Sequence, residues 1–67
     1  MKINKENLLK DLIGMTKESG SRLCRENDCE VRITREDSIN YAITMDMKFN
    51  RINLEIEEGL IAKCNVG

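Results

Sequence analysis

Ile52, Leu54 and Ile56 alternate with Arg51, Asn53, Glu55 and Glu57, and this period of two is the clearest pattern in the chain. It predicts a strand with one face in a core and the other toward solvent. Glu58-Gly59 follows with the chemistry of a tight turn, so Leu60 to Cys64 is expected to return as a partner strand. Cys29 to Thr34 alternates as well, with Val31 and Ile33 on one side and Glu30, Arg32 and Thr34 on the other. Upstream the period lengthens. Leu8, Leu9, Leu12 and Ile13 recur at helical spacing between Glu6 and Met15, with Asn4 or Asn7 able to cap the segment and Gly14 to stop it. Thr16 precedes Ser19 by three residues and opens a helix over Lys17 to Glu26, where Leu23 and Cys24 are the strong apolar positions. Gly20 costs that helix roughly 1 kcal/mol relative to alanine. From Arg35 to Lys48 neither period holds, which in so short a chain marks a functional stretch or a misread one. The expected order is helix, strand, long exposed loop, strand, turn, strand, and the expected core is Ile33, Ile52, Leu54, Ile56 and Ile61.

With 67 residues the chain has room for one domain, 1–67, and a lean core. A chain of this size buries only about 60% of its unfolded surface, so a large enclosed active site would compete with folding. Six basic and six acidic residues lie in 1–30, and five basic against six acidic in 31–67, for a net charge of -1. This even spread leaves no footprint for duplex nucleic acid or an anionic membrane. Tyr41 and Phe49 are too few for a base-stacking platform, and the apolar runs fall short of a membrane span. Neither nucleic acid nor membrane is an expected partner.

Histidine is absent, which removes the commonest general base and the commonest zinc ligand. Glu36, Asp37, Asp46, Glu55, Glu57 and Glu58 fall on expected loops or the polar strand face, with no glycine-rich phosphate loop near them. The chain is not expected to be an enzyme. Cys24, Cys29 and Cys64 are an odd set, so one disulfide at most can form, and which of Cys24 and Cys29 approaches Cys64 stays open. Three thiols at this spacing fall short of a four-cysteine zinc site, and neither metal nor cofactor is expected. The start, Met1 to Asn7, has no apolar run like a secretory leader. The expected location is cytoplasmic, with thiols reduced, if this is the full precursor, and secreted if a leader has been removed.

One stretch carries a resemblance. Ile43-Thr44-Met45-Asp46-Met47-Lys48-Phe49-Asn50-Arg51-Ile52-Asn53-Leu54 resembles the binding loop and following strand of the potato inhibitor type I serine protease inhibitors and of related small bacterial peptidase inhibitors. Leu12-Ile13-Gly14 is similar to the family's Leu-Val-Gly, and Ile61-Ala62-Lys63-Cys64-Asn65-Val66-Gly67 to its Ile-Ala and terminal Val-Gly. The likeness spans residues 12–67. It implies an α+β domain, one helix packed on a small mixed sheet, with a long protruding binding loop between two strands. It also implies a protease-binding loop of Ile43, Thr44, Met45, Asp46, Met47 and Lys48, in which Met45 enters the primary specificity pocket and Thr44 and Asp46 flank the reactive bond. A flexible apolar methionine suits a deep hydrophobic pocket of the subtilisin or chymotrypsin kind.

In the same family, arginines beneath the loop hold it from below. Here the resemblance gives that role to Arg51, donating to Thr44 and Asp46, a charge-assisted clamp of about 1.5–3 kcal/mol. Asn53 stands where plant members carry a second arginine, and it joins Arg51 as loop support. Asp37-Ser38-Ile39-Asn40-Tyr41 lacks the family's usual proline and glycine.

Taken without the resemblance, Met45 and Met47 fit one face of an ordinary strand from Ile43 to Ile56, and Arg51 fits a solvated residue paired with Glu55 or Asp46. A rival function follows, since fold does not fix function. It is an intracellular binding module that reuses the fold, as a homo-oligomer, to sequester an anionic small molecule or block a defence or regulatory protein. Binding would then map to a subunit interface rich in Lys and Arg rather than to the tip at Met45.

Overall fold

The computed structural model describes residues 4–67; the stretch Met1 to Ile3, part of the start read above as free of a leader-like run, lies outside the described residues. Helix α1 runs over Lys5–Leu12, and its Asn4 cap accepts a hydrogen bond from the Asn7 amide at 2.9 Å. Gly14, at φ +88°, turns the chain away. Helix α2 occupies Lys17–Glu26, with the Thr16 hydroxyl accepting from the Ser19 amide at 3.2 Å. Both caps satisfy orphan amides of a first turn, which is why each helix begins where its polar residue stands.

The remaining elements are β1 (Glu30–Glu36), β2 (Ile39–Asn40), β3 (Arg51–Glu57) and β4 (Leu60–Val66). They form a mixed sheet in the order β2-β1-β3-β4, with β1 and β3 parallel and the other pairs antiparallel, so the fold is α+β. Two helices cover it rather than the single helix expected, since α1 buries Leu8 and Leu12 and α2 buries Gly20 and Cys24. Between them, residues 14–17 lie along the start of β4. Gly14 donates to the Ile61 carbonyl at 2.9 Å, Ile61 to that of Met15 at 2.8 Å, and Lys17 to that of Gly59 at 3.0 Å. Glu58 and Gly59, both at positive φ, make the tight turn from β3 to β4.

Ile52, Leu54, Ile56 and Ile61 meet Leu8, Leu12, Cys24 and Cys29 in the core. Ile33 only packs against this cluster and stays half-buried. Its strand is paired along β3 on one side, but β2 reaches only Arg35 and Glu36 on the other, so β1 is covered at one end alone. No helix among the described residues is long and apolar enough to cross a membrane.

Gly20 reveals how closely the helix and sheet approach. A Cβ there would stand 2.2 Å from Ile61 Cδ1 and 3.2 Å from Leu12 Cδ2, both on fully buried side chains. Overpacking of about 1–3 kcal/mol then outweighs the gain of about 1 kcal/mol in helix propensity. Gly20→Ala is expected to lower the denaturant midpoint in the natural background and to be neutral or stabilising in Ile61→Val, which lacks Cδ1. Equal effects in both backgrounds would show that the contact does not constrain position 20.

The parallel pairing of β1 and β3 forces the chain to return from the end of β1 to the start of β3. The returning segment is pinned at both ends, by Tyr41 N–H on the Thr34 carbonyl at 3.0 Å and by Glu30 N–H on the Asn50 carbonyl at 2.7 Å. Residues 41–50 therefore run back along Glu30–Thr34, a stretch half as long, and the excess chain bows outward.

Candidate functional site

The bowed loop exposes every residue from Tyr41 to Asn50, and its backbone bends at Met45, whose side chain is 96% exposed. Beneath it lies the polar face of the sheet. Arg51 and Asn53 are each only 7% exposed, so the alternation read as core against solvent is instead core against loop. In the parallel register, Glu30 stands beside Arg51 and Arg32 beside Asn53, which collects these four side chains under the loop.

Arg51 donates from Nη2 to the Asp46 carbonyl at 2.9 Å and from Nη1 to Asp46 Oδ2 at 3.3 Å. It also holds the Gly67 main-chain oxygen, from Nη2 at 2.7 Å and Nε at 3.2 Å. The expected bond from Arg51 to Thr44 is replaced by one from another strand. Arg32 Nη1 donates to Thr44 Oγ1 at 3.3 Å and to its carbonyl at 3.4 Å, while Arg32 Nε donates to Asn53 Oδ1 at 2.8 Å. Asn53 thus acts through Arg32, orienting a second guanidinium that arrives from β1. Arg32 Nη2 reaches the Gly67 oxygen at 3.5 Å, and Lys48 N–H donates to the same atom at 3.3 Å. The Thr44 hydroxyl closes the network by donating to Asp46 Oδ1. Among the described residues, every buried side-chain nitrogen and oxygen has a partner.

The network brings together Thr44, Asp46, Arg51 and Asn53 of the sequence-derived set, ties Lys48 to Glu30 through Nζ and Oε2 at 3.4 Å, and leaves Ile43, Met45 and Met47 outward. Sequence reading missed Arg32 and Gly67. The signal for Arg32 was its place on the polar face of a strand that a long return loop sets parallel to β3.

The hydrogen bond from Thr44 and then that from Arg51 hold the Asp46 carboxyl down at about 2, below its ordinary 3.8. A depressed carboxyl favours the ordered loop while it is ionised. Its contribution is complete above pH 3.8 and is lost as pH falls through about 2. A carboxyl-detected NMR titration should place the Asp46 midpoint near 2 and move it up toward 3.8 in Thr44→Val. A midpoint already near 3.8 in the unaltered chain would show that the loop is not held this way.

The cysteines take no part in this site. Cys24, Cys29 and Cys64 are free, and burial pushes the Cys24 thiol up to about 11 and raises that of Cys64. Cys24 and Cys29 pack as small hydrophobes in the core cluster, and Cys64 packs against it.

Searches of protein-family models, of curated proteins and of solved structures find no match to this chain.

Proposed function

We propose that the chain is a serine protease inhibitor whose loop, Ile43 to Lys48, enters the cleft of a subtilisin- or chymotrypsin-type protease as a substrate would. One observation carries this reading: a fully exposed methionine stands between two residues, Thr44 and Asp46, that the half-buried Arg32 and the buried Arg51 tie to the sheet. A loop already extended and held loses little entropy on docking, so it binds tightly. The same bonds hold its backbone back from the motions of hydrolysis, so turnover is slow. Met45 fills the primary pocket, Thr44 and Asp46 flank the reactive bond, and Arg32, Arg51 and Asn53 set the frame. The resemblance to the potato inhibitor type I proteins supports the same assignment.

Titration of subtilisin and of chymotrypsin with the purified chain, under reducing conditions, tests it. Stoichiometric inhibition is expected, weakened at least tenfold by Met45→Gly with the denaturant midpoint unchanged. Rapid cleavage of the unaltered chain, or no inhibition of either enzyme, would reject the reading.

A further inference from the structure

Sulfur is unevenly placed on this molecule. Met45 is 96% exposed and Met47 75%, whereas Met15 is half-buried and packs against the core. None of the three cysteines is exposed. Cys24 is fully buried, which pushes its thiol up to about 11, and Cys64, also raised by burial, donates from Sγ to the Leu9 carbonyl at 3.2 Å. Peroxides attack thiolates and open thioethers, so among the described residues the loop methionines are the sulfurs an oxidant meets first.

The bonds that hold the loop leave those thioethers out. Arg32 and Arg51 bond the hydroxyl, carboxylate and main-chain oxygens of Thr44 and Asp46, and neither Met45 nor Met47 belongs to the core cluster or packs against it. Oxygen added to the Met45 sulfur therefore changes what the loop presents without loosening the domain that presents it.

We propose that Met45 is an oxidation switch: a peroxide converts its thioether to the sulfoxide, and the oxidised chain no longer engages its protease. This rests on the inhibitor reading and adds a means of regulation to it. In the forward step a sulfur lone pair takes one oxygen of the peroxide, the O–O bond breaks, and hydrogen peroxide leaves as water. The sulfur is oxidised and the peroxide reduced. In the return step two thiols become a disulfide and the sulfoxide oxygen departs as water, which resets the loop. A sulfoxide oxygen is a hydrogen-bond acceptor, and a deep apolar pocket strips its hydration without offering a donor. Met45 alone fills that pocket, so the switch belongs to its sulfur and not to that of Met47.

The test treats the purified full chain with a limited dose of hydrogen peroxide, leaving a mixture of thioether and sulfoxide at Met45. The mixture meets a substoichiometric amount of subtilisin or chymotrypsin, whichever the untreated chain inhibits, and gel filtration separates bound from free chain. Peptide mass mapping then reads each sulfur in both fractions. Met45 sulfoxide should be depleted about tenfold or more from the bound fraction, and Met47 sulfoxide by less than about twofold. Met15 and the thiols should be unmodified at this dose and the denaturant midpoint unchanged. Methionine sulfoxide reductases for both epimers, supplied with dithiothreitol, should restore binding. Even partition of Met45 sulfoxide overturns the switch and leaves the inhibitor reading standing. Depletion that follows Met47 instead, oxidation of Met15 or a thiol before Met45, or a lowered midpoint overturns it equally. Absence of inhibition by the untreated chain overturns both together.

Discussion

On the proposed inhibitor function, Arg51→Ala is expected to make the chain a substrate, cleaved after Met45 by the protease it would otherwise block. Arg51 is 7% exposed, and its guanidinium makes four hydrogen bonds, two to Asp46 and two to the Gly67 oxygen. A hydrogen bond involving a charged group contributes about 1.5–3 kcal/mol, and losing Arg51 also leaves the Gly67 oxygen with fewer donors. Loss of about 2–3 kcal/mol of loop order corresponds to roughly 30- to 150-fold in affinity. Mass spectrometry of timed mixtures should show a new end at Asp46 in Arg51→Ala and an intact chain in the natural sequence. Arg32→Ala should act in the same direction but less, because its contacts with Thr44, at 3.3 and 3.4 Å, are longer than the 2.9 Å bond from Arg51 to the Asp46 carbonyl. Equal resistance to cleavage in Arg51→Ala and the unaltered chain would show that rigidity has another source.

Leu54→Ala should have the largest effect on folding. Leu54 is fully buried in β3, opposite Ile33 of β1 and Cys64 of β4, so the cavity it leaves is walled by both neighbouring strands. Leucine-to-alanine changes of this kind cost about 2–5 kcal/mol. A domain of 67 residues has little more stability than that to lose. The thermal midpoint should drop by about 8 °C or more, and inhibition should weaken in step with the fraction unfolded. Met45→Gly, removing a side chain that touches no core, should lose inhibition with no such drop. The contrast separates positions that make the fold from positions that use it, and comparable drops in both variants would contradict it.

How far the sequence disclosed this arrangement depended on the reach of each interaction. Thr16 and Lys17–Glu26 were legible because a cap and its helix are neighbours in the chain. The strand Arg51–Glu57 was legible because alternation is local. The short β2 was not, since Ile39–Asn40 is too brief to show a period and exists through its pairing with Arg35 and Glu36. Arg51 and Asn53 looked like a solvent face, and their burial comes from a loop that folds back over them. Arg32 was the least visible. On a strand's polar face it reads like any solvated arginine, and only the parallel register places it beside Asn53 and under Thr44. Gly20 read as a cost to its helix, whereas the structure places it against Ile61, a partner 41 positions away that no local pattern reveals.

Among the described residues, none of the eight buried apolar side chains comes from residues 41–50. In a lineage under selection, positions 45, 47 and 49 can therefore drift one codon at a time while the domain goes on folding. Thr44, Asp46, Arg32, Arg51 and Asn53 are bound into one network, and a change at any of them strands its neighbours. Mutable and locked positions thus interleave along a few residues of chain, so the exposed face of the loop can be rewritten without a new scaffold.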